Sequence, residues 1–183
     1  MSFSFKLANK KALGYDIAQV DDFISRARAQ FTEPNVSLVG ADEVRSVEFD
    51  LVKGGYLIEP VDAAIERLEE TFATREILKQ KNEKGQYALD DRLMRVSEIV
   101  RGRLVRPKGK KFSSTGWLLR GYSRKQVDEL CDRIARHLDS GQVLSAAEVR
   151  RCIFQAKRGG YAESQVDAFI DRVIEVLQIE AAR

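Results

Sequence analysis

Gly121-Tyr122-Ser123-Arg124-Lys125-Gln126-Val127-Asp128 is one of four statements of a single pattern in this chain. Gly-Tyr, four intervening residues, then Val-Asp also occurs as Gly14-Tyr15…Val20-Asp21, Gly55-Tyr56…Val61-Asp62 and Gly160-Tyr161…Val166-Asp167. Recurrence of this kind governs the architecture before any single residue is interpreted. Tyr15 and Tyr56 are 41 residues apart and Tyr122 and Tyr161 are 39 apart, while Tyr15 to Tyr122 is 107 and Tyr56 to Tyr161 is 105. The spacing describes a doubled pair, an odd copy followed by an even copy, twice. Even copies share Glu43-Val44-Arg45…Phe49…Gly54-Gly55 and Glu148-Val149-Arg150…Phe154…Gly159-Gly160; odd copies carry Phe5 and Phe112 ten residues before the tyrosine.

Helical periodicity follows every Gly-Tyr. Val20, Phe23, Ile24 and Ala27 repeat at i, i+3, i+4, i+7, as do Val61, Ala64, Ile65, Leu68; Val127, Leu130, Cys131, Ile134; and Val166, Phe169, Ile170, Val173. Each set predicts one buried stripe on one helix. Asp16 with Gln19, Ser123 with Gln126 and Ser145 with Glu148 have the spacing of capping boxes. In the even copies the paired glycines are expected to end a short helix, giving helix, tight turn, helix. The predicted fold is therefore all-α: tandem helical-hairpin repeats in two duplicated halves, residues 1–72 and 110–183, joined by a helical, basic connector over 73–109.

The tyrosines are expected to pack where helices meet, with each hydroxyl on a backbone or carboxylate partner. Each motif aspartate is expected to reach a neighbouring element, because the arginine five residues on points to another side of the helix. Cys131 and Cys152 read as small core hydrophobes.

Composition narrows the function. A formal net charge of +3 is too small to specify a partner, and no apolar run is long enough to span a membrane. Together with an N-terminus that has no signal-peptide stretch, this predicts a cytoplasmic protein. The single histidine, His137, has no nucleophile motif around it, the cysteines lack metal-ligand spacing, and no glycine loop follows a strand to cradle phosphate. No enzyme activity, cofactor, metal or small-molecule substrate is expected.

Two stretches invite a binding role. Arg101-Gly-Arg103-Leu-Val-Arg106-Pro-Lys108-Gly-Lys110-Lys111 is cationic at six of eleven positions. It reads as a solvated linker, as a contact for an anionic membrane, or as a contact for nucleic acid. Trp117-Leu118-Leu119 reads either as core or as an exposed apolar contact.

The four motifs, with the upstream Glu-Val-Arg…Phe segment, resemble the DivIVA domain of bacterial cell-division and polar-growth proteins. The resemblance covers residues 1–30, 38–72, 110–138 and 144–178. It implies a scaffold or adaptor at the division site or pole, membrane-associated there, that binds a protein partner: itself or a coil-bearing DivIVA relative. It also implies membrane contact through an apolar residue and an arginine just before Gly-Tyr, matched here by Leu119-Arg120, with Trp117 and Leu118 beside them, and less fully by Leu13. The family's long coiled coil has no counterpart, since only Val61, Ile65, Leu68 and Phe72 form a short seam. The alternative reading is a nucleic-acid-associated helical-repeat regulator.

Overall fold

The computed structural model describes residues 5–32 and 39–183, except the side chains of residues 41, 42 and 45. The chain is mostly helical and divides into two compact units, Met1–Glu76 and Ile77–Arg183.

The first unit runs β1 (Leu13–Tyr15), α1 (Ile17–Thr32), α2 (Ala41–Ser46), β2 (Leu51–Lys53) and most of α3 (Ile58–Lys84). The α1 stripe is buried as its period requires, with Val20, Phe23, Ile24 and Ala27 at 0–7% exposure. Phe23 and Ala27 pack with Val44 of α2 and Phe72 of α3, while Val20 and Ile24 pack with Tyr56 and Val61.

The second unit contains the end of α3, then α4 (Gln86–Leu104), β3 (Arg120–Tyr122), α5 (Arg124–Ser140), α6 (Ala146–Arg150), β4 (Ala156–Arg158) and α7 (Glu163–Ala181). One core joins Leu89, Leu93, Val96 and Val100 of α4 to the α5 and α7 stripes. The expected connector, 73–109, is thus divided: 73–76 fall in the first unit, and from Ile77 on the chain belongs to the second, whose core takes up the α4 face removed from water. Ile99, on another side of α4, is exposed. The buried face of α7 widens through Ile174, Val176 and Ile179, where the matching steps of α3 are the polar Glu69, Thr71 and Thr74. This difference suits α7 to packing on both α4 and α6. The capping box of Ser145 and Glu148 starts α6, with Glu148 N–H donating to Ser145 Oγ at 3.2 Å and Ser145 N–H donating back at 2.9 Å.

Two small antiparallel sheets depart from the all-α expectation. Strand β1 pairs with β2 in the register Leu13↔Lys53, Gly14↔Val52, Tyr15↔Leu51, and β3 pairs with β4 as Arg120↔Arg158, Gly121↔Lys157, Tyr122↔Ala156. The expected helix–glycine–helix hairpins are interrupted by β2 and β4. The first glycine of each pair, Gly54 (φ 72°) and Gly159 (φ 64°), turns the chain out of a strand rather than out of a helix.

Candidate functional site

In each unit the two Gly-Tyr segments cross, backbone against backbone. Tyr15 N–H donates to Tyr56 C=O and Tyr56 N–H donates to Tyr15 C=O, both at 2.9 Å. Tyr122 and Tyr161 exchange the same two bonds at 3.0 and 2.9 Å. The glycine just before each tyrosine serves this approach. A Cβ on Gly14 would lie 2.3 Å from Tyr56 O, and one on Gly55 would lie 2.3 Å from Tyr15 O. Gly121 and Gly160 meet equivalent obstacles at 2.2 Å from Tyr161 O and 2.4 Å from Gly121 O. No side chain fits between strands this close.

The side chains cross as well. Tyr56 Oη donates to Asp21 Oδ1 at 3.1 Å, and Tyr161 Oη donates to Asp128 Oδ1 at 2.9 Å. The reverse pairs are Tyr15 with Asp62 and Tyr122 with Asp167. Each of the four motif tyrosines therefore meets the aspartate of the other motif in its unit. Burial raises all four phenol pKa values first, and the aspartates add to it; Tyr161 is pushed up to about 12. These hydroxyls remain neutral donors. Four reciprocal aromatic pairs pack beside them, Phe5 with Tyr56, Phe49 with Tyr15 and Phe112 with Tyr161 edge to face and Phe154 with Tyr122 tilted, with centroids 5.2–5.4 Å apart.

The motif glutamines work across the crossing too. Asp16 caps α1 by accepting from Gln19 N–H, but the Gln19 side chain binds Asp50, accepting from its N–H at 2.8 Å and donating to its carboxylate at 2.7 Å. Gln126 accepts from Gln155 N–H at 2.8 Å, and Gln165 from Ser113 N–H at 3.0 Å. Ser123 makes no side-chain cap. Two expected capping boxes are thus replaced by clamps on the opposite segment.

Trp117, Leu118 and Leu119 are 80%, 70% and 65% exposed, so of the two readings of this stretch the core one is excluded. The loop that carries them is braced. Thr115 Oγ1 donates to Leu119 C=O, Thr115 N–H to Gly160 C=O and Gly159 N–H to Leu119 C=O, while Gly116 (φ 82°) makes the turn. Arg120, Lys157 and Arg158 lie on the exposed strands behind this tip, with Arg120 opposite Arg158. The first unit presents a lesser version, an exposed Leu13 opposite Lys53 with Lys10 and Lys11 nearby in the chain.

The cationic run is not a free linker. Lys111 is buried, its Nζ donating to the Leu104 and Arg106 carbonyls at the end of α4 and its N–H to Tyr161 Oη. Arg101 binds Asp139 and the Leu138 carbonyl, and Lys108 binds Asp132 at 2.6 Å. Arg103 donates to Lys111 C=O and lies over the Phe112 ring, its pKa lowered by burial and by Arg106. Arg106 shares that carbonyl at 3.4 Å, while Lys110 is exposed. Five of the six cations are therefore committed: Arg101 and Lys108 fasten the run to α5, while Arg103, Arg106 and Lys111 bond carbonyls within it.

Arg124 carries no signal in its sequence position, yet it joins three segments. It donates to Gly159 C=O, Gly109 C=O and Ser114 Oγ at 2.8–3.1 Å and sits over the Tyr161 ring. Only the tertiary fold reveals those acceptors. Among the described residues no group of three or more His, Cys, Asp or Glu is placed to hold a metal, and no helix is long and apolar enough to cross a membrane. Comparison with protein-family models, with curated proteins and with solved structures finds no match to this chain.

Proposed function

We propose that this chain is a non-enzymatic scaffold or adaptor built from four DivIVA-like repeats arranged as two duplicated units, acting on an anionic membrane surface at the division site or cell pole. The observation that carries the reading is the braced, exposed Trp117-Leu118-Leu119 tip backed by Arg120, Lys157 and Arg158. Each large apolar side chain taken out of water contributes about 1.5–3 kcal/mol, and each cation near an anionic leaflet about 1 kcal/mol. Those two contributions suit a surface that is both apolar and negative. The recurrence of the same tyrosine–aspartate exchange in both units supports duplication, and a protein partner would meet the tips, where Leu13, Trp117, Leu118 and Leu119 are exposed.

Flotation with vesicles rich in anionic phospholipid tests this, beside a salt-titrated DNA-binding assay. The expected result is flotation that weakens with salt and is lost in the triple variant W117S/L118S/L119S. A blue shift of the one tryptophan in the chain should accompany it. DNA binding with a steep salt slope and no flotation would instead support the nucleic-acid reading.

A further inference from the structure

His137 lies in the last turn of α5, half-buried, with an acceptor at each ring nitrogen. Nδ1 is 2.7 Å from the Gln142 carbonyl and Nε2 is 2.8 Å from Glu180 Oε2. Neither partner has a proton to give: one is a backbone carbonyl and the other a carboxylate. A neutral imidazole carries one N–H, so either tautomer turns a lone pair on one of these oxygens; only the imidazolium satisfies both. The helix end favours that cation as well, because the negative pole of the α5 dipole is here and Gly141 N–H caps the His137 carbonyl.

The contacts span separate elements. Gln142 opens the loop from α5 to α6, and its side chain also accepts from Arg136 Nε at 2.9 Å. Glu180 is in the last turn of α7. Nearby charges are otherwise paired: Asp139 on α5 binds Arg101 of α4, and Arg183, just beyond α7, binds Asp90 of α4. Glu180 is thus the carboxylate that answers the ring.

We propose that His137 is a proton-operated latch of the second unit: charged, it ties the ends of α5 and α7 and the α5–α6 loop together; neutral, it releases one of them. Burial alone would lower the histidine pKa, but the bonds to Glu180 and to the Gln142 carbonyl outweigh it, and the pKa is raised above 6.5. A raised folded-state pKa gives stability that is complete below the unfolded value and is lost as pH rises through the folded one. The latch therefore loosens with alkalinity, in the window that begins near pH 6.5.

The chain has one histidine, so its ring C–H resonances report the titration without assignment. The expected midpoint lies above 6.5 in the full chain and falls in E180Q, each unit of fall being a tenfold loss of preference for the charged ring. The thermal midpoint of the wild type should also exceed that of H137Q below the titration and converge on it above. A wild-type midpoint at or below 6.5, or one unmoved in folded E180Q, would overturn the latch. If E180Q does not fold, the wild-type midpoint and the comparison with H137Q decide alone.

Discussion

The Tyr161 hydroxyl donates to Asp128 at 2.9 Å and at the same time accepts from the Lys111 N–H at 3.2 Å. Its counterpart, Tyr56, bonds Asp21 in the first crossing. Tyr161 is fully buried whereas Tyr56 is 8% exposed. Removing the Tyr161 hydroxyl leaves a buried N–H without an acceptor, which costs about 1–3 kcal/mol, while an ordinary hydrogen bond is worth about 1 kcal/mol. Tyr161→Phe is therefore expected to lower the urea midpoint more than Tyr56→Phe. Equal losses would mean that the Lys111 contact contributes nothing.

The glycines of the crossing and a glycine on a helix should respond with opposite signs. Alanine at Gly121 puts a methyl 2.2 Å from the Tyr161 carbonyl oxygen, against backbone that cannot yield without parting the strands. Loss of the second unit's folding is expected. Gly102 lies inside α4, where an added methyl would meet nothing within 4 Å, so Gly102→Ala should stabilise by roughly 0.5–1 kcal/mol through helix propensity. Circular-dichroism melts of the two variants separate the effects, and a folded G121A would refute the backbone crossing.

The helical stripes were legible because their signal is local: Val127, Leu130, Cys131 and Ile134 recur at the helical period whatever surrounds them. The crossings were not. Strands of three residues, such as Leu51–Lys53, are too short to show alternation, and their partners lie in another copy of the motif. Gly54-Gly55 has the local look of a helix cap, although the restriction on Gly55 comes from the Tyr15 carbonyl far away in sequence. Gln19 and Gln126 sit at capping-box spacing, yet Asp50 and Gln155 are their partners. Charge was visible in the 101–111 run, whereas its acceptors, among them Asp132 and Asp139 of α5, depend on how the chain folds back.

Lys111 offers a direct check on that fold-back. Its buried ammonium satisfies the Leu104 and Arg106 carbonyls, which the end of α4 would otherwise leave without donors. Lys111→Met keeps the length and apolar stem of the side chain but removes all three donors, and should cost about 1–3 kcal/mol. Lys110→Met, at an exposed neighbour, should change stability by less than about 0.5 kcal/mol. Urea unfolding of the pair would expose an error if both substitutions were equally mild.

The two cysteines should separate by reactivity. Cys131 is buried in the second unit's core and burial pushes its thiol up to about 12, so little thiolate forms near neutral pH. Cys152 is half-buried, its Sγ 3.3 Å from the Glu148 carbonyl. With an aromatic disulfide reagent at pH 8, one thiol per chain should react in the native state and the second only after denaturant is added. C152S should abolish the native-state reaction; rapid labelling of Cys131 in that variant would contradict its place in the core.

Glu175 supplies a pH dependence of the opposite sign to that of His137. Burial opposes its charge, but Arg92 donates to Oε1 at 2.7 and 2.9 Å and Arg172 to Oε2 at 2.8 Å, and together they hold the carboxyl below its usual range. A depressed folded-state pKa contributes stability above the unfolded value, near 4.5, and loses it as pH falls through the folded one. The Glu175 side chain is 19% exposed but Arg92 is 41% exposed, so solvent screening keeps the contribution to roughly 1 kcal/mol. Urea midpoints of the wild type and Glu175→Gln should differ at pH 7 and draw together below pH 4.5. A gap that stays constant to pH 3 would show that the pair is not what acid removes.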